Sequence, residues 1–334
     1  MAGKMSRATV RSLSEVSEEP GRMAEDVRAG LLGVPKDLSP WPKYFYDAEG
    51  SEIFEEITAL PEYYQTRTEL SILEAKAGEL AARTGARELV ELGSGSSSKT
   101  GALLDAMLET GDAVSYVPFD VSESAVKGSA ERLREEYPEL EISGFVGDFD
   151  HSLERLLERP RKDGSGRLVI FLGGTIGNFT PERRREFLER LRGGLESGDY
   201  LLVGLDLVKD TRTLEAAYDD AAGVTARFNK NLLHVLNRKL GGEFDPDLFA
   251  HRATYNPEES RVEMWLDSEI AQEVPVKSLG LEVPFDKGEG MRTEISTKFT
   301  RESIASTFDE AGLRMLDLYT DDKDLFGLAL GEPT

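Results

Sequence analysis

The stretch that decides the fold of this chain is Val90-Glu91-Leu92-Gly93-Ser94-Gly95-Ser96-Ser97-Ser98-Lys99-Thr100. It continues an apolar run that begins at Glu88 and predicts a buried strand, and it leads into a segment with helical periodicity. Gly93 and Gly95 let the backbone approach a ligand closely, and the first turn of the following helix offers free N–H groups. A strand, a glycine-rich turn and a helix in this order predict a cofactor-binding α/β fold.

Acidic residues mark the ends of the first three predicted strands. Glu91 stands at the end of the first strand, ahead of the glycines, and Asp120 ends the second. Asp148, which is followed by Phe149, comes directly after the third. An acidic side chain in the position of Asp120 can reach the ribose hydroxyls of a bound nucleotide.

These residues resemble the first motif of class I methyltransferases, E/D-x-G-x-G, together with the strand ends that follow it. The resemblance implies that Glu91 helps to hold the methionine part of S-adenosylmethionine, that Asp148 accepts a hydrogen bond from the adenine amino group and that Phe149 packs against the ring. A nicotinamide cofactor stays open as an alternative, because Ser98 partly fills the third small position of a dinucleotide motif. Asp120 and Asp148 can also serve simply as N-caps of helices.

Short apolar runs alternate with amphipathic stretches from about Glu88 onward, which is the rhythm of parallel strands joined by helices. The predicted parallel strands are Glu88–Leu92, Val114–Phe119, Ile142–Val146, Leu168–Leu172 and Tyr200–Leu205. A late helix and a closing pair of strands are predicted at Arg301–Ala311, Leu313–Tyr319 and Leu325–Leu330. We therefore predict an α/β chain with a class I, Rossmann-like core, built on a seven-stranded, mostly parallel, doubly wound sheet.

The alternation of apolar runs and amphipathic stretches ends after Asp206. There a helical stretch at Leu214–Leu240 precedes segments that we predict as antiparallel strands. The segment before Leu70 is rich in aromatic residues and too short to form a domain alone. We expect residues 21–66 and 209–298 to form one discontinuous α+β substrate-binding domain over the carboxyl edge of the sheet, where open α/β sheets bind ligands. Residues 67–208 and 299–334 then form the S-adenosylmethionine-binding methyltransferase domain, and residues 1–20 a flexible N-terminus.

Composition excludes several classes of function. The net charge of −23 repels phosphate backbones, so we expect no nucleic-acid partner. The chain has no cysteine, and its three histidines lack metal-ligand spacing, so we expect no metal. No apolar run approaches the roughly 20 residues of a membrane helix, and no secretory signal is recognisable at the start of the sequence. We expect a soluble, cytoplasmic monomer that acts on a small molecule.

Further motifs lie outside the generic core. They are Phe45-Tyr46-Asp47-Ala48-Glu49-Gly50-Ser51-Glu52-Ile53-Phe54, Leu60-Pro61-Glu62-Tyr63-Tyr64-Gln65-Thr66-Arg67, Gly173-Gly174-Thr175-Ile176-Gly177-Asn178-Phe179, Ala217-Tyr218-Asp219-Asp220, Phe228-Asn229-Lys230-Asn231 and Arg292-Thr293-Glu294-Ile295-Ser296. Together they resemble the histidine Nα-methyltransferases of ergothioneine biosynthesis. The resemblance runs from about Lys43 to Leu330, and it is far more specific than the glycine turn.

The resemblance implies an enzyme that transfers three methyl groups from S-adenosylmethionine to the α-amine of L-histidine and so forms hercynine. It implies that the α-amino and carboxylate groups are bound by Tyr63, Asn178 and Tyr218, and the imidazole by Glu294 and Ser296. The implied pocket wall is Phe54, Thr225 and Met264. The implied cofactor contacts are Tyr46, Glu91, Gly93, Gly95, Lys99, Asp120, Asp148 and Phe149. Asn178 and Tyr46 are the residues that we expect at the reacting centre.

The implied roles suit the chemistry of methyl transfer, and structural roles stay open for some of the same residues. Methyl transfer from a sulfonium is an in-line displacement, so the protein mainly has to align an uncharged amine, and the amide oxygen of Asn178 can accept from it. Glu294 and Ser296 alternate on one strand face, which suits the N–H groups of an imidazole. Glu294 could instead form a cross-strand ion pair, Met264 could belong to the core, and Tyr63 could only anchor the N-terminal segment.

The sequence is also compatible with two other functions. The same chemistry could act on another small amine or amino acid, or the chain could bind S-adenosylmethionine without transferring a methyl group.

Overall fold

The computed structural model of the chain describes residues 9–13, 19–110, 114–161 and 165–334. The strands are β1 Thr9–Ser12, β2 Lys36–Asp37, β3 Glu88–Leu92, β4 Ser115–Asp120, β5 Glu141–Val146, β6 Arg167–Phe171, β7 Tyr200–Asp206, β8 Phe249–Asn256, β9 Arg261–Ser268, β10 Gln272–Val276, β11 Leu281–Phe285, β12 Gly290–Thr297, β13 Leu313–Thr320 and β14 Phe326–Pro333. The α-helices are α1 Glu19–Leu31, α2 Ala48–Thr58, α3 Tyr64–Thr84, α4 Gly101–Leu108, α5 Glu123–Glu136, α6 Phe149–Leu157, α7 Pro181–Gly194, α8 Thr211–Ala216, α9 Val224–Leu240 and α10 Arg301–Glu310. Short 3₁₀ helices lie at Pro42–Phe45, Thr175–Asn178, Pro246–Leu248 and Lys277–Leu279.

The central sheet has the strand order β1-β5-β4-β3-β6-β7-β14-β13. The first six strands in this order, β1-β5-β4-β3-β6-β7, run parallel. The strand β14 pairs antiparallel with both β7 and β13. Every residue of β3 and β6 is buried, because helices cover both faces of the sheet. The predicted α/β class and the seven predicted strands are confirmed.

An eighth strand corrects the expectation of a flexible N-terminus over residues 1–20. The four residues of β1 pair in parallel with Ser143–Val146, and the N–H of Leu13 donates to the carbonyl of Val146 at 2.8 Å. Backbone pairing of this kind adds a strand to an open sheet edge with little demand on the sequence, which is why the side-chain pattern did not indicate it. Residues 1–8 and 14–18, which the same expectation covered, lie outside the described residues.

The helix predicted at Leu214–Leu240 is broken into α8 and α9. The side chain of Asp220 accepts hydrogen bonds from the N–H groups of Val224 and Thr225 at 3.0 and 2.7 Å, and so starts the second helix. Gly223, directly before it, has φ of +74°, which a helix cannot contain. The break directs α9 towards the N-terminal aromatic segment.

A second, mostly antiparallel sheet of order β2-β12-β9-β8 lies beside the hairpin β10-β11. Residues of the N-terminal segment, such as Met23, Phe45 and Ile57, share one buried cluster with residues of the insertion, such as Phe228 and Phe249. This packing supports the division into a substrate-binding and a methyltransferase domain at the predicted boundaries, which stays a prediction. No helix of the described residues is long and apolar enough to cross a membrane.

Candidate active site

A cavity of about 660 Å³ lies between the two sheets, at the carboxyl ends of β3 to β7. This volume is within the range of small-molecule sites. All the residues predicted for the site line this one cavity; they are Tyr46, Phe54, Tyr63, Glu91, Gly93, Gly95, Lys99, Asp120, Asp148, Phe149, Asn178, Tyr218, Thr225, Met264, Glu294 and Ser296. The fold therefore brings together residues from the glycine turn, the N-terminal segment and the insertion.

The glycine turn forms one half of the cavity and is tied to the end of β4. Gly93 and Gly95 have φ of +67° and +48°, in the left-handed region that favours glycine. The N–H of Gly95 donates to Asp120 Oδ2 at 2.9 Å, and the N–H of Ser122 donates to Oδ1 at the same distance. The Asp120 carboxylate thus fixes the turn while it faces the cavity.

Glu91 lies buried beneath the turn. Its Oε2 accepts hydrogen bonds from Tyr116 and, at 2.7 Å, from Thr100, whereas Oε1 accepts none from the described residues. Burial raises the pKa of Glu91 to about 7, against the opposing effect of these hydrogen bonds. The Tyr116 hydroxyl also lies 2.7 Å from that of Ser97. Glu91 therefore supports the turn through one oxygen and offers the other to a cationic group.

Asp148 has two roles in the structure. It caps α6 by accepting from the N–H of His151 at 2.8 Å, as the alternative interpretation anticipated, and it also lines the cavity. Ser122, not Asp120, caps α5. Burial tends to raise the pKa of Asp148, but Lys43 and His151 outweigh burial, so the pKa is lowered.

A group of potential metal ligands is formed by Asp148, Asp150 and His151. Cationic side chains already neutralise it, because Lys43 lies 3.3 and 3.6 Å from the two aspartates and Arg183 lies 2.8 Å from Asp150. We assign no metal to this group.

Lys99 is held by a buried carboxylate that the sequence analysis missed. Glu69 on α3 is fully buried, pairs with the Lys99 ammonium and accepts from the N–H of Gly173 at 2.8 Å. A Cβ at position 204 would lie 2.1 Å from Glu69 Oε1, so Gly204 is what makes room for this carboxylate. Nothing in the local sequence of α3 indicates that Glu69 points inward.

The other half of the cavity is formed by the carboxyl-terminal half of β12. Glu294 and Ser296 alternate on this strand and both line the cavity. Glu294 is only 7% exposed, yet it has no hydrogen-bond or ion-pair partner among the described residues. Burial raises its pKa to about 7, partly opposed by the charge of Lys298. The cross-strand ion pair considered from the sequence is absent among the described residues.

Asn178 reaches the cavity because of a glycine-rich 3₁₀ turn. Gly173 and Gly174 have φ of +78° and +68°, and they reverse the chain after β6. A Cβ at Gly177 would lie 2.8 Å from the carbonyl oxygen of Thr297 and 3.5 Å from Ser296 Oγ. The turn therefore packs directly on β12, and Asn178 stands beside the strand that carries Glu294.

Aromatic rings line the wall between the two halves. The ring of Phe54 lies 5.6 Å from Tyr46, 6.1 Å from Tyr63 and 5.8 Å from Phe228, centroid to centroid. Burial raises the pKa of Tyr46 and of Tyr63, and the negative charge of Glu294 adds to both shifts, so both hydroxyls stay protonated. Among the described residues, neither hydroxyl has a hydrogen-bond partner, which leaves both available to a ligand.

A buried polar network centred on Asp206, at the end of β7, extends from the cavity wall into the protein. The carboxylate accepts from Tyr64 at 2.8 Å, from Lys209 at 2.6 Å and from Lys298 at 2.7 Å. Burial tends to raise the pKa of Asp206, but the two lysines outweigh it, and the pKa is lowered. Tyr64 thus anchors the N-terminal segment, whereas its neighbour Tyr63 lines the cavity.

Three buried polar atoms at the cavity have no partner among the described residues. They are Gln65 Oε1, Ser94 Oγ and Thr225 Oγ1. Buried polar atoms without partners are uncommon in folded proteins, and they are expected where a ligand completes the hydrogen bonding. Met264 is both a cavity residue and a member of a buried cluster, so the core and pocket interpretations both hold.

The model of the family described as histidine-specific, S-adenosylmethionine-dependent methyltransferases matches residues 23–333. The chain belongs to this family. Membership and the geometry of the glycine turn agree, because the turn, Asp120 and Asp148 form a site suited to this cofactor. The chain is therefore an enzyme, a methyltransferase that uses S-adenosylmethionine, and this part of the sequence prediction is confirmed.

Two relatives align with nearly the whole length of this histidine-specific methyltransferase, and a third aligns with part of it. A protein named histidine N-alpha-methyltransferase from Mycolicibacterium smegmatis is 50% identical over 308 residues, which are 92% of this chain and 94% of the relative. One of the same name from Mycobacterium tuberculosis is 47% identical over 319 residues, 95% of this chain and 97% of the relative. Ergothioneine biosynthesis protein 1 of Schizosaccharomyces pombe is 32% identical over 219 residues, 63% of this chain and 28% of that longer protein.

Proposed function

We propose that this enzyme transfers three methyl groups in succession to the α-amine of L-histidine and forms hercynine, a step of ergothioneine biosynthesis. The observation that carries the proposal is the position of Glu294. This carboxylate is buried in the same cavity as the glycine turn, and no residue of the part of the chain that the structure describes pairs with it. An acceptor buried at this cost to stability needs a donor from the substrate, and the imidazole N–H is such a donor. The two mycobacterial relatives named histidine N-alpha-methyltransferase support the choice of histidine.

The cofactor half of the cavity fits S-adenosylmethionine. Glu91 offers its free oxygen to the ammonium group, Asp120 faces the ribose, and Asp148 with Phe149 faces the adenine. Tyr46 and Lys99 complete the contacts, with Gly93 and Gly95 leaving room for the backbone to approach. When bound, this cosubstrate supplies an electrophilic methyl group on a sulfonium, and the reaction calls for no metal.

The substrate half holds the amino acid by its two ends. Glu294 and Ser296 bind the imidazole, and Tyr63, Asn178 and Tyr218 bind the α-amino and carboxylate groups. Phe54, Thr225 and Met264 form the wall against which the ring packs.

The residues near Asn178 align the amine rather than activate it chemically. Each transfer would form a bond from the amine nitrogen to the methyl carbon while the bond from that carbon to the sulfonium sulfur breaks, so that S-adenosylhomocysteine leaves. The nitrogen must lose a proton to solvent before the first transfer and again before each later one. The Asn178 oxygen accepts from an N–H without taking the proton, so the lone pair stays available for the in-line attack. Alignment alone can supply roughly 7 to 11 kcal/mol of the barrier. Tyr46 and Phe54 present ring faces that tolerate the growing cation.

Mass spectrometry of L-histidine incubated with enzyme and S-adenosylmethionine tests the proposal. We expect products heavier by one, two and three methyl groups, with the third accumulating. Fragmentation has to locate all three on the α-nitrogen. Histidine that keeps its mass while another amino acid is methylated would refute the proposal.

Two alternatives have their own discriminating measurements. If the methyl acceptor is another amino acid, that compound will outcompete histidine in a mixture. In that case Glu294→Ala will not weaken the binding of histidine more than the binding of other amino acids. If the chain binds the cofactor without catalysis, no S-adenosylhomocysteine will form with any amine.

A further inference from the structure

The buried ammonium of Lys298 makes three hydrogen bonds directly behind the predicted imidazole site. Its Nζ donates to Asp206 Oδ2 at 2.7 Å, to the hydroxyl of Tyr218 at 2.9 Å and to Ser296 Oγ at 2.8 Å. The side chain is fully buried and does not line the cavity. Lysine has three N–H donors, so all of them are used.

These contacts fix the direction of the Ser296 hydroxyl. Ser296 Oγ accepts from Lys298 and also from the Tyr218 hydroxyl, at 2.7 Å. A hydroxyl oxygen has two acceptor positions and one proton. Since both acceptor positions are occupied on the buried side, the proton of Ser296 can only be donated to another group, and Ser296 lines the cavity.

We propose that Lys298 is a positioning residue that makes Ser296 an obligatory hydrogen-bond donor, so that the site selects the neutral imidazole ring. In this arrangement the bare ring nitrogen accepts from Ser296 and the ring N–H donates to Glu294. An imidazolium, which has two N–H groups and no bare nitrogen, leaves Ser296 opposed by a donor. The inference rests on the proposed function, because it takes histidine as the substrate.

Through this role, Lys298 controls how strongly the site prefers an imidazole ring over a pyrrole ring. The two pyrrolylalanine isomers each keep one N–H of histidine and replace the other nitrogen by C–H. With the wild-type enzyme we expect L-histidine to bind about 100-fold more tightly than the better of these isomers, because the pyrrole leaves the Ser296 proton without an acceptor. In Lys298→Met the hydroxyl can rotate, so we expect this ratio to fall below about 10-fold.

The experiment is calorimetric titration of each amino acid onto enzyme saturated with S-adenosylhomocysteine. Lys209→Met is the matched control, because Lys209 pairs with the same Asp206 carboxylate at 2.6 Å but contacts neither Ser296 nor Tyr218. We expect Lys209→Met to keep the wild-type ratio of affinities. Binding of S-adenosylhomocysteine itself verifies that each variant is folded, and Lys298→Gln replaces Lys298→Met if the latter fails this check.

A double-substitution cycle separates positioning from a general loss of structure. If Lys298 acts through Ser296, then Lys298→Met in a Ser296→Ala background causes no further loss of selectivity. An unchanged ratio in Lys298→Met, or an additive loss in the double variant, overturns the inference while leaving the proposed function intact. A wild-type enzyme that binds no histidine overturns the proposed function instead.

Discussion

At the scale of single residues, the site contains carboxylates whose burial lowers the stability of the free enzyme but places them at the cavity. Glu91 and Glu294 both have a pKa raised to about 7, with burial as the main cause. Glu91 has hydrogen-bond donors around one oxygen, whereas Glu294 has none among the described residues. Burying the ionised form of Glu294 is therefore costly in the free enzyme.

Replacing Glu294 by Gln is expected to stabilise the free enzyme at alkaline pH. The folded-state pKa of about 7 lies above the ordinary value of 4.5, so the folded chain binds this proton more tightly than the unfolded chain does. The contribution of Glu294 to the free energy of unfolding therefore falls as the pH rises from 4.5 to 7 and stays low above that. We expect Glu294→Gln to raise the free energy of unfolding by up to about 3 kcal/mol at pH 8, and by much less at pH 5.

Urea unfolding at the two pH values measures this difference. Glu258→Gln, on the exposed turn between β8 and β9, is the matched control and should leave the free energy of unfolding unchanged at both. A Glu294→Gln variant that is no more stable than wild type at pH 8 would contradict the account of this carboxylate. The same variant should bind histidine about 100-fold more weakly, because the ring N–H then lacks its charged acceptor.

Most residues of the candidate site could be named from the sequence, but those that support it could not. Tyr63, Asn178 and Glu294 lie in motifs that resemble a known family, so their positions follow from local sequence. Glu69 pairs with Gly173 and Lys298 pairs with Asp206, partners that lie about a hundred residues away along the chain. Pairings over such distances depend on the completed fold, and a single sequence carries no local pattern for them.

At the scale of elements, the active site depends on a close contact between the 3₁₀ turn after β6 and the end of β12. The contact is possible only because position 177 has no side chain. It joins Asn178, which we propose lies beside the amine, to the strand that carries Glu294 and Ser296, the proposed imidazole ligands. A small displacement of this turn would therefore misalign the amine without removing any contact residue.

Gly177→Ala is expected to reduce catalysis strongly. The added Cβ would lie 2.8 Å from the carbonyl oxygen and 3.2 Å from the amide nitrogen of Thr297, and backbone atoms cannot move aside cheaply. We expect kcat/KM for histidine to fall about 100-fold, since a shift of about 1 Å can cost that much, and stability to fall by about 1 to 3 kcal/mol.

Steady-state kinetics with histidine checks this, and Gly193→Ala is its control, because a Cβ at that exposed helix position meets nothing within 4 Å. Full activity in Gly177→Ala would show that the contact between the turn and β12 does not position the site.

The elements themselves were largely predictable where hydrophobic periodicity is strong. The predicted strand at Glu88–Leu92 agrees at both ends, and the neighbouring parallel strands agree to within one residue at each end. The hairpin β10-β11 was missed because Pro275 and Pro284 interrupt its pattern. The edge strand β1 was missed because backbone pairing, not side-chain alternation, holds it.

At the scale of the whole molecule, residues from distant parts of the chain line one cavity. Parallel strands of the central sheet bring Glu91, Asp120 and Asp148 to one edge, and the second sheet supplies Met264, Glu294 and Ser296 to the same cavity. The net charge of −23 gives the chain a strongly negative field. Repulsion between copies of such charge opposes self-association.

We therefore expect a monomer. Sedimentation velocity at micromolar concentration and low salt should give one species with the mass of a single chain. Raising the ionic strength screens the repulsion, so persistence of the monomer at high salt is the stricter condition. A stable dimer at both salt concentrations would contradict this expectation.

We propose that one cavity presents the α-nitrogen of histidine to the methyl donor while Glu294 and Ser296 hold the ring. A crystal structure of the enzyme with S-adenosylhomocysteine and L-histidine would show where the amino acid binds. We predict the α-nitrogen beside Asn178 and within about 5 Å of the cofactor sulfur, as an in-line transfer requires. The imidazole should lie between Glu294 and Ser296. A histidine bound outside this cavity, or with its ring towards the glycine turn, would contradict the account.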